Sequence, residues 1–248
     1  MSAIYVLWLR EVRRYLRSRM QIIASLGQPG LYLFVLGFGM STVFRQAGRG
    51  SYVQFVAPGI IAMSVLFSAT FSGMGLLWER QFGVLKVTLV APVPRFYIML
   101  GRTFGSATVA LLQGALVAVV CLLAGLRPVQ SDLLPLAAVF VALLAVVFAA
   151  LGTLFGSTLK EMQAFQWVMN FVIMPLFFLS GGLYPLDHLP GVLALLARLD
   201  PLSYGVDGLR AALLHQSHFG VATDAAVLVI LAAALMCVGA WRFARIVD

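Results

Sequence analysis

The stretch FLSGGLYPLDHLPGVLALLARLDPLSYGVDGLR, residues 178–210, separates two long apolar runs and is itself too broken to cross a bilayer. Two glycines near its start permit a turn, and Pro185 and Pro190 bound a short link. The apolar run that follows, Val192–Leu199, is well short of the roughly 20 residues that a spanning helix needs. We therefore predict re-entrant helices over 185–222, in a segment whose polar backbone is satisfied by protein or by a water-lined cavity.

The composition of the whole chain places it in a membrane. Of its 248 residues, 62% are hydrophobic and 10% are charged, which is outside the range of soluble domains of this size. Long unbroken apolar runs, rather than alternating segments of about ten residues, favour helices over a membrane β-barrel. We predict an all-α integral membrane protein, with residues 1–248 forming a single transmembrane domain. Six runs are long enough to span: 21–44, 55–77, 103–126, 133–156, 164–184 and 223–241.

The basic residues indicate the orientation of the helices. Lys and Arg near span ends are retained on the cytoplasmic side, and 12 of the 17 lie on the side of the N-terminus. Both termini are therefore expected in the cytoplasm. On this interpretation the basic residues are flanking anchors, and the net charge of +8 reflects contact with anionic lipid headgroups rather than with nucleic acid.

Residues 2–19 precede the first predicted span and combine apolar and basic positions. The apolar residues recur at helical spacing, as in a helix lying in the membrane interface: Tyr5, Trp8, Leu9, Val12 and Leu16. The arginines fall on a different face: Arg10, Arg13, Arg14 and Arg17. We predict an interfacial helix here; a plain basic flank of the first span is the alternative.

Missing motifs narrow the function further. The predicted spans are almost devoid of ionisable residues, with Asp224 at the margin of the last one, so ion-coupled transport is disfavoured. The chain has no GxxxxGK[ST] phosphate loop, no HExxH and no GxSxG motif, so we predict no enzymatic activity of its own. Its His and Cys residues lack metal-ligand spacing, and no metal site is predicted.

Small and polar residues inside the spans have two interpretations. Gly101 with Gly105, and Gly152 with Gly156, have a spacing that lets helices approach closely, either within the bundle or at a subunit interface. Amides in the spans form interhelical hydrogen bonds or contact a substrate. We name four residues as candidates for lining a transport pathway: Gln28, Phe67, Phe71 and Asn170.

The connection WERQFGVLKVTLVAPVPRFYIMLGR, residues 78–102, mixes charge with an apolar run that ends at Pro92 and Pro94. A short helix over Glu79–Leu89 is predicted, stopped by the prolines. Such a helix, held parallel to the membrane, can dock into a groove on a soluble partner. The alternative is a solvated loop.

In the re-entrant segment, Asp207 and Arg210 are three residues apart in a predicted helix and are expected to pair on one face. Their pairing would steady the return of the chain into the last span.

These residues together resemble a family, the ABC type-2 exporter permeases. The most specific part of the resemblance is the pattern Phe178, Ser180, Gly181, Tyr184, Pro185, Leu189 and Pro190, followed by Asp200, Pro201, Leu202, Tyr204, Val206, Asp207 and Arg210. YVQFVAPG at 52–59 and LVAPVP at 89–94 resemble the drug and lipo-oligosaccharide branch. One departure is that Gly83 is followed by Val84, where relatives commonly carry an acidic residue.

The resemblance implies two sets of functional residues. The external re-entrant motif comprises Ser180, Gly181, Gly182, Tyr184, Pro185, Pro190, Pro201, Tyr204, Asp207 and Arg210. The contact with a cytoplasmic ATPase comprises Glu79, Arg80, Phe82, Gly83, Leu85, Lys86 and Pro92.

The resemblance also implies partners and a function. Two copies of this chain would pair with two copies of a separate ATPase, which binds ATP and Mg, while this chain binds no cofactor. The complex would export an amphipathic drug-like, lipid-linked or glycolipid substrate across a bacterial inner membrane. A polysaccharide exporter and a non-transport membrane scaffold are the alternatives.

Overall fold

The computed structural model describes residues 3–46, 51–83, 93–186 and 190–244, and this part of the chain contains helices and turns but no strand. The first five helices are α1 Ala3–Arg17, α2 Arg19–Gly39, α3 Ser41–Gln46, α4 Tyr52–Gln81 and α5 Arg95–Leu123. A 3₁₀ turn, Ser131–Leu133, leads into α6, Leu134–Thr158. The remaining elements are α7 Met162–Val168, a π-turn Met169–Ile173, α8 Met174–Leu179, α9 Gly191–Leu199, α10 Pro201–Leu214 and α11 Val221–Ala244.

Six of these helical stretches are long and apolar enough to cross a membrane. They are α2, α4, α5, α6, the continuous stretch Met162–Leu179 and α11. The prediction of an all-α protein with six spans is confirmed. A helix also covers Ala3–Arg17, while its placement in the membrane interface stays a prediction.

The helices extend beyond several of the predicted spans. The second was predicted over 55–77, whereas α4 runs from Tyr52 to Gln81. The third was predicted to begin at residue 103, whereas α5 begins at Arg95. The prediction ended each span at the nearest charge, but Glu79 and Arg102 neutralise each other inside the bundle. A helix can therefore continue past such a charge.

The centre of the bundle is α4, the most buried of the six spans, which packs on α6, α5 and α2. Its inner face supplies residues such as Ile60 and Leu66, which meet Phe140 and Phe148 of α6 in one continuous apolar core. At the other extreme, α2 and α11 are the least buried spans. These two helices present most of their apolar surface to the surroundings of the chain.

Glycines set how closely the central helices approach. A Cβ added at Gly73 of α4 would lie 2.0 Å from the carbonyl oxygen of Gly152 on α6. A Cβ at Gly105 of α5 would meet the Glu11 side chain of α1 at 2.9 Å. The predicted small-residue pairs therefore pack within the chain, which is the first of the two interpretations given for them. 

The fifth span changes its helical form in the middle. Pro175, near the start of α8, has no N–H to donate to the carbonyl four residues earlier. The π-turn Met169–Ile173 lies directly before α8, and a wider turn of this kind absorbs the resulting change of register.

The packing of α1 differs from the predicted apolar face. Val12 and Tyr15 are buried, but Tyr5 and Leu16 are exposed. The acidic side chain of Glu11 is buried as well. The reason is that α1 packs lengthwise on the glycine-bearing face of α5, where Trp8 Nε1 donates to Thr108 Oγ1 at 2.9 Å.

Candidate functional site

The bundle has two chemically different ends. At the basic end, the start of α5 meets α1 and the end of α4, where salt bridges adjoin a small apolar cluster that includes Leu76, Ile98 and Met99. At the short-helix end, α9 and α10 lie near the start of α4 and the start of α11. Three features stand out between and at these ends: a polar cavity, an ion cluster and a vestibule.

The polar cavity, about 410 Å³ in volume, lies between α1, α2, α4 and α5. Three of the predicted pathway residues line it: Gln28, Phe67 and Phe71. The fourth, Asn170, is exposed on the π-turn of the fifth span and does not line this cavity. The structure thus brings together the candidates on α2 and α4 and separates the one on the fifth span.

One wall of the polar cavity is a stripe of hydroxyls along α4. Ser64, Ser68 and Ser72 recur every four residues and so lie on one face of the helix. Ser64 Oγ and Ser72 Oγ donate to the carbonyls of Ile61 and Ala69 at 2.7 and 2.6 Å, which leaves their oxygen lone pairs able to accept hydrogen bonds. Phe67 and Phe71 flank this stripe and make the wall amphipathic.

Gln113 of α5 joins the helices around the polar cavity. Its side-chain oxygen accepts from Tyr15 Oη of α1 at 2.6 Å and from Ser25 Oγ of α2 at 2.9 Å. Its Nε2 has no hydrogen-bond partner among the described residues, although the side chain is buried. Because Gln113 also lines the cavity, its amide is a ready donor for a ligand oxygen.

The ion cluster closes the basic end and consists of Arg10, Glu11, Arg14, Glu79 and Arg102. Glu79 of α4 accepts from Arg10 of α1 at 2.7 Å and from Arg102 of α5. Glu11 pairs with Arg14 at 2.8 Å and with Arg10 at 3.5 Å. The cluster thereby joins α1, α4 and α5, and Glu11 and Arg14 extend it to the polar cavity.

Two interpretations of the charged residues need correction here. Arg102 was counted among the flanking anchors, but its side chain is only 6% exposed because it lies in the ion cluster. Arg210, counted likewise, is also buried. Both arginines are therefore internal structural groups rather than headgroup anchors.

The segment predicted to contact an ATPase is only partly described. Glu79 and Arg80 lie in the last turn of α4, and Arg80 Nη1 donates to the carbonyls of Ser157 and Leu159 at 3.5 and 3.4 Å. A separate helix does not start at Glu79, because α4 continues to Gln81 and the chain then turns at Gly83, whose φ is +71°. 

Beyond α4, the remaining candidates differ in what the structure describes. Phe82 is 67% exposed and stacks on the exposed Trp78 with ring centroids 5.2 Å apart. Leu85, Lys86 and Pro92, together with the rest of 84–92, lie outside the described residues.

At the short-helix end, the predicted motif is assembled around the backbone of residues 180–183. Gly181, at φ +70°, offers its carbonyl to Arg210 Nη2 at 3.0 Å. The Arg210 guanidinium also lies over the Phe55 ring, 4.3 Å from its centroid, a cation–π contact. Tyr52 Oη donates to the carbonyl of Leu183 at 2.8 Å. The start of α4 and α10 therefore hold this turn from two sides.

Gly182, within this turn, lies against the backbone of α4. A Cβ at Gly59 would be 2.4 Å from the carbonyl oxygen of Gly182. Ser180 Oγ accepts from the Gly182 N–H at 3.2 Å and donates to the carbonyl of Phe177 at 2.8 Å. The predicted residues Ser180, Gly181 and Gly182 thus form a single buried turn against α4.

The start of α10 is a capped helix. Asp200 accepts from the Leu202 N–H at 2.8 Å, and Pro201 occupies the first turn, where its missing N–H costs nothing. Burial raises the pKa of Asp200 to about 7, against the opposing effect of the donors on Leu202 and Ser203. Tyr204 Oη donates to the carbonyl of Arg198 at 2.6 Å, which fixes α9 against α10.

Pro190 precedes α9 at φ −54°, and Tyr184 and Pro185 are partly buried after the turn. Leu189 of the family pattern lies outside the described residues. With these positions, the described motif residues all lie at the short-helix end.

Asp207 and Arg210 contact different segments. Asp207 accepts from the N–H groups of His218 and Phe219, each at 2.8 Å, and from Ser217 Oγ at 3.1 Å. It therefore holds the loop that leads into α11, whereas Arg210 holds the turn at Gly181. The predicted Asp207–Arg210 pair is not among the salt bridges of the described residues; each of the two side chains contacts a neighbouring segment.

An open vestibule of about 610 Å³ lies beside these residues. Its lining combines aromatic rings with polar groups: Phe44, Phe55, Pro185, Asp207, Arg210 and His215 are among them. Among the described residues, no group of three or more His, Cys, Asp or Glu side chains is arranged to hold a metal ion.

Sequence reasoning missed several buried polar groups. Glu11, Arg102 and Gln113 were not chosen as site residues, and Asp224 was placed at the margin of the last span although it is fully buried. A usable signal was available for Glu11, since it is a lone acid within a run of arginines. 

The fifth span has an exposed face that carries amides. Gln163, Gln166 and Asn170 are exposed there, spaced by three and four residues, beside the exposed rings of Trp167 and Phe171. Tyr32 of α2 contacts Phe177 at the inner side of this span, with centroids 6.0 Å apart. This ring pair brings α2 and the fifth span into contact.

The chain is similar to known membrane permeases. The family model described as ABC-2 type transporter matches residues 2–214. Nodulation protein J of Rhizobium leguminosarum bv. trifolii is 33% identical over 214 residues, which cover 84% of this chain and 81% of that protein. The inner membrane transport permease YadH of Escherichia coli strain K12 is 30% identical over 242 residues, covering 95% of this chain and 93% of that protein. With its six apolar spans, the chain thus belongs to the ABC-2 type transporter family, as an integral membrane permease subunit.

Proposed function

We propose that this chain is the membrane subunit of an ATP-driven exporter whose amphipathic cargo enters the polar cavity. The observation that carries the proposal is the cavity wall on α4, where serine hydroxyls and phenylalanine rings alternate along one face. Its volume of about 410 Å³ falls within the range of pockets that take drug-sized molecules.

The lining of the polar cavity favours a cargo with a polar head and an apolar body. The serine oxygens of α4 accept hydrogen bonds, and the unpartnered Nε2 of Gln113 donates one. Phe67 and Phe71 supply apolar contact area. A drug-like amphiphile, a lipid-linked molecule or a glycolipid fits this combination, and the hydroxylated wall suits a sugar head in particular.

We infer that the basic end faces the cytoplasm of a bacterial cell and that the short-helix end faces outward. The excess of Lys and Arg on the side of the N-terminus supports this orientation. The relative YadH is named an inner membrane permease, which supports the inner membrane as the location. On this orientation the polar cavity opens near the cytoplasmic leaflet and the vestibule faces outward.

The work of transport would come from a separate cytoplasmic ABC ATPase, in two copies, that binds ATP and Mg. The ion cluster supports a route for its motion, because it fixes the end of α4 to α1 and α5 just before the segment predicted to contact the ATPase. Closure of the ATPase pair would then move three helices around the polar cavity together.

A second copy of this chain would complete the pathway. The exposed amides of the fifth span are poorly suited to lipid, since a polar group in hydrocarbon lacks hydrogen-bond partners. The exposed residues of α2 are largely apolar. We infer that the exposed face of the fifth span meets its counterpart in a homodimer, where the amides find partners across the interface.

A bulky substitution in the polar cavity tests the proposed cargo site. Ser68→Phe places a ring between helices in the cavity, so stimulation of ATP hydrolysis by amphiphiles should fall about tenfold, equivalent to about 1.4 kcal/mol of binding. The measurement uses the chain co-purified with its ATPase in lipid nanodiscs, with a lysophospholipid, a glycolipid and a soluble polysaccharide as probes.

The matched control is Val119→Phe, which adds the same ring on an exposed position of α5 and should leave stimulation unchanged. If amphiphiles stimulate ATP hydrolysis equally in the two variants, the cavity is not the cargo site. Stimulation by the polysaccharide alone would support a polymer exporter, and no stimulation by any probe would support a scaffold.

Cysteine crosslinking tests the ATPase contact. In a background lacking Cys121 and Cys237, Phe82→Cys and Leu85→Cys should form crosslinks to the ATPase subunit, because both positions follow the end of α4. Phe34→Cys, exposed on α2, is the control and should form none. The coupling assignment fails if Leu85→Cys never reaches the ATPase while the complex stays assembled.

A further inference from the structure

A buried carboxyl pair lies where α10 packs against α11. Asp224, in the first turn of α11, is fully buried, and neither of its carboxyl oxygens has a donor among the described residues. Its carboxyl is within hydrogen-bonding reach of the Asp207 carboxyl, which is itself 3% exposed. A buried polar group with no donor requires a physical explanation.

The two carboxyls are in different surroundings. Asp207 receives hydrogen bonds from the Ser217 hydroxyl and from the backbone of His218 and Phe219. Asp224 receives none of these. The start of a helix favours negative charge, yet no backbone N–H of the described residues donates to the Asp224 carboxyl. The Asp224 carboxyl therefore lies beside the Asp207 carboxyl without a donor of its own among the described residues.

Among the described residues, no salt bridge reaches Asp224 from the elements packed against it. α11 packs on α6, α10 and α5. Helix α6 has no ionisable residue, and the charged residues of α5, Arg95 and Arg102, belong to its start at the basic end. The other titratable groups on these elements and on the loop before α11 are Tyr97, Cys121, Tyr204, Arg210, His215 and His218. None of these forms a salt bridge to Asp224 among the described residues.

We propose that Asp207 and Asp224 form one proton-binding site, in which a single proton on Asp224 is donated to the Asp207 carboxylate. Two ionised carboxylates offer only acceptors to each other, so this contact is satisfied only when one of them carries a proton. Two like charges at this distance in a buried site also repel strongly. With one proton bound, the net charge of the pair is −1 instead of −2.

The vestibule gives this site a route for exchange. Asp207 lines the vestibule, whereas Asp224 is buried behind it. A proton from water in the vestibule would bind to an Asp207 oxygen and pass to the adjacent Asp224 oxygen, and it would leave by the reverse path. No electron transfer or covalent change is involved.

Occupancy of the site would control how firmly the last span is held. With the proton present, the Asp224–Asp207 hydrogen bond joins α11 to α10. Without it, the two charges push the start of α11 away from α10, where Asp207 also anchors residues 217–219. The site would therefore act as a proton-dependent latch at the short-helix end.

Infrared spectroscopy of the purified chain in nanodiscs tests the proposal without any transport assay. A protonated carboxyl absorbs apart from a carboxylate, so Asp224 should contribute a protonated-acid band at about pH 7, where ordinary Asp side chains are ionised. Asp200, with its pKa raised by burial to about 7, would give a second band. The measurement is therefore made in the Asp200→Asn background, which preserves a capping side chain.

In that background, Asp224→Asn should remove the remaining band, and Asp132→Asn, at an exposed acid, should leave it. The proposal also predicts that the parent loses thermal stability as the pH rises and the pair ionises, and that Asp224→Asn abolishes this loss, because an amide cannot ionise. If Asp224→Asn fails to fold, the parent spectrum still decides: absence of any protonated-acid band at about pH 7 overturns the proposal. A band that survives Asp224→Asn overturns it too. Since no ATPase is present, these outcomes are independent of the proposed function.

Discussion

Replacing Glu79 with alanine should destabilise the protein by about 3–5 kcal/mol, the usual cost of removing one partner from a buried ion pair. The loss falls mainly on Arg102, whose side chain is 6% exposed and whose guanidinium would be left without its carboxylate. Arg10 suffers less, because it is 39% exposed and also pairs with Glu11. The measurement is thermal or denaturant unfolding of the purified chain in lipid nanodiscs.

Glu161→Ala is the matched control for this prediction. Glu161 is an exposed acid next to the start of α7, and it makes no salt bridge among the described residues. Its removal should change stability by no more than about 0.5 kcal/mol. Similar losses in the two variants would mean that net charge, rather than the buried contact, sets the stability.

A double variant separates the ion pair from the packing. Replacing a buried ion pair with apolar side chains of similar volume is often neutral or stabilising. Glu79→Leu combined with Arg102→Met should therefore be more stable than Glu79→Leu alone, with a coupling of about 0.5–3 kcal/mol. Strict additivity of the two single changes would show that Glu79 and Arg102 do not depend on each other.

The six helices were predictable because spanning length and apolar composition are properties of consecutive residues. The predicted turn at Ser180–Gly182 was found as well, since glycine and proline mark turns locally. The sequence also located the residues that this turn contacts, such as Arg210, although not the contact itself. Local chemistry was thus enough for the elements and for one part of the site.

The burial of charges was not predictable in the same way. Glu79 and Arg102 are near the ends of apolar runs, where a flanking position and an internal ion pair look alike in the sequence. The difference depends on Arg10, which is 69 residues away from Glu79 along the chain. Asp224 posed the same problem, because its neighbour Asp207 lies on another helix. Only tertiary packing identifies such partners.

The sequence also did not predict which face of each spanning helix points into the bundle. Gln28 and Asn170 had equal claims as pathway residues, yet Gln28 lines the polar cavity and Asn170 is exposed on the π-turn. Four of the spans, α2, α4, α6 and α11, are apolar on all sides, so their sequences do not indicate which face of each helix points into the bundle. Close glycine contacts between helices fix the rotation instead.

The second large effect is expected at one of these contacts, with Gly73→Ala. The new Cβ would lie 2.0 Å from the carbonyl oxygen of Gly152. The two helices are also close one turn further along α6, where a Cβ added at Gly156 would lie 2.4 Å from the carbonyl oxygen of Gly73. Both neighbours are backbone, so no side chain can move aside. Helices α4 and α6 would have to separate, and overpacking of this kind costs about 1–3 kcal/mol or more.

Gly27→Ala makes the Gly73→Ala result diagnostic. A Cβ at Gly27 of α2 meets nothing within 4 Å, so alanine should stabilise this exposed helical position by up to about 1 kcal/mol through its higher helix propensity. The same substitution should therefore shift the unfolding midpoint in opposite directions at the two positions. A shift of the same sign at both would mean that helix propensity dominates and that α4 and α6 do not meet backbone to backbone. Opposite signs would place the tightest contact of the bundle between the helix that carries the serine wall and its central neighbour, so that any motion of α4 during transport must carry α6 with it.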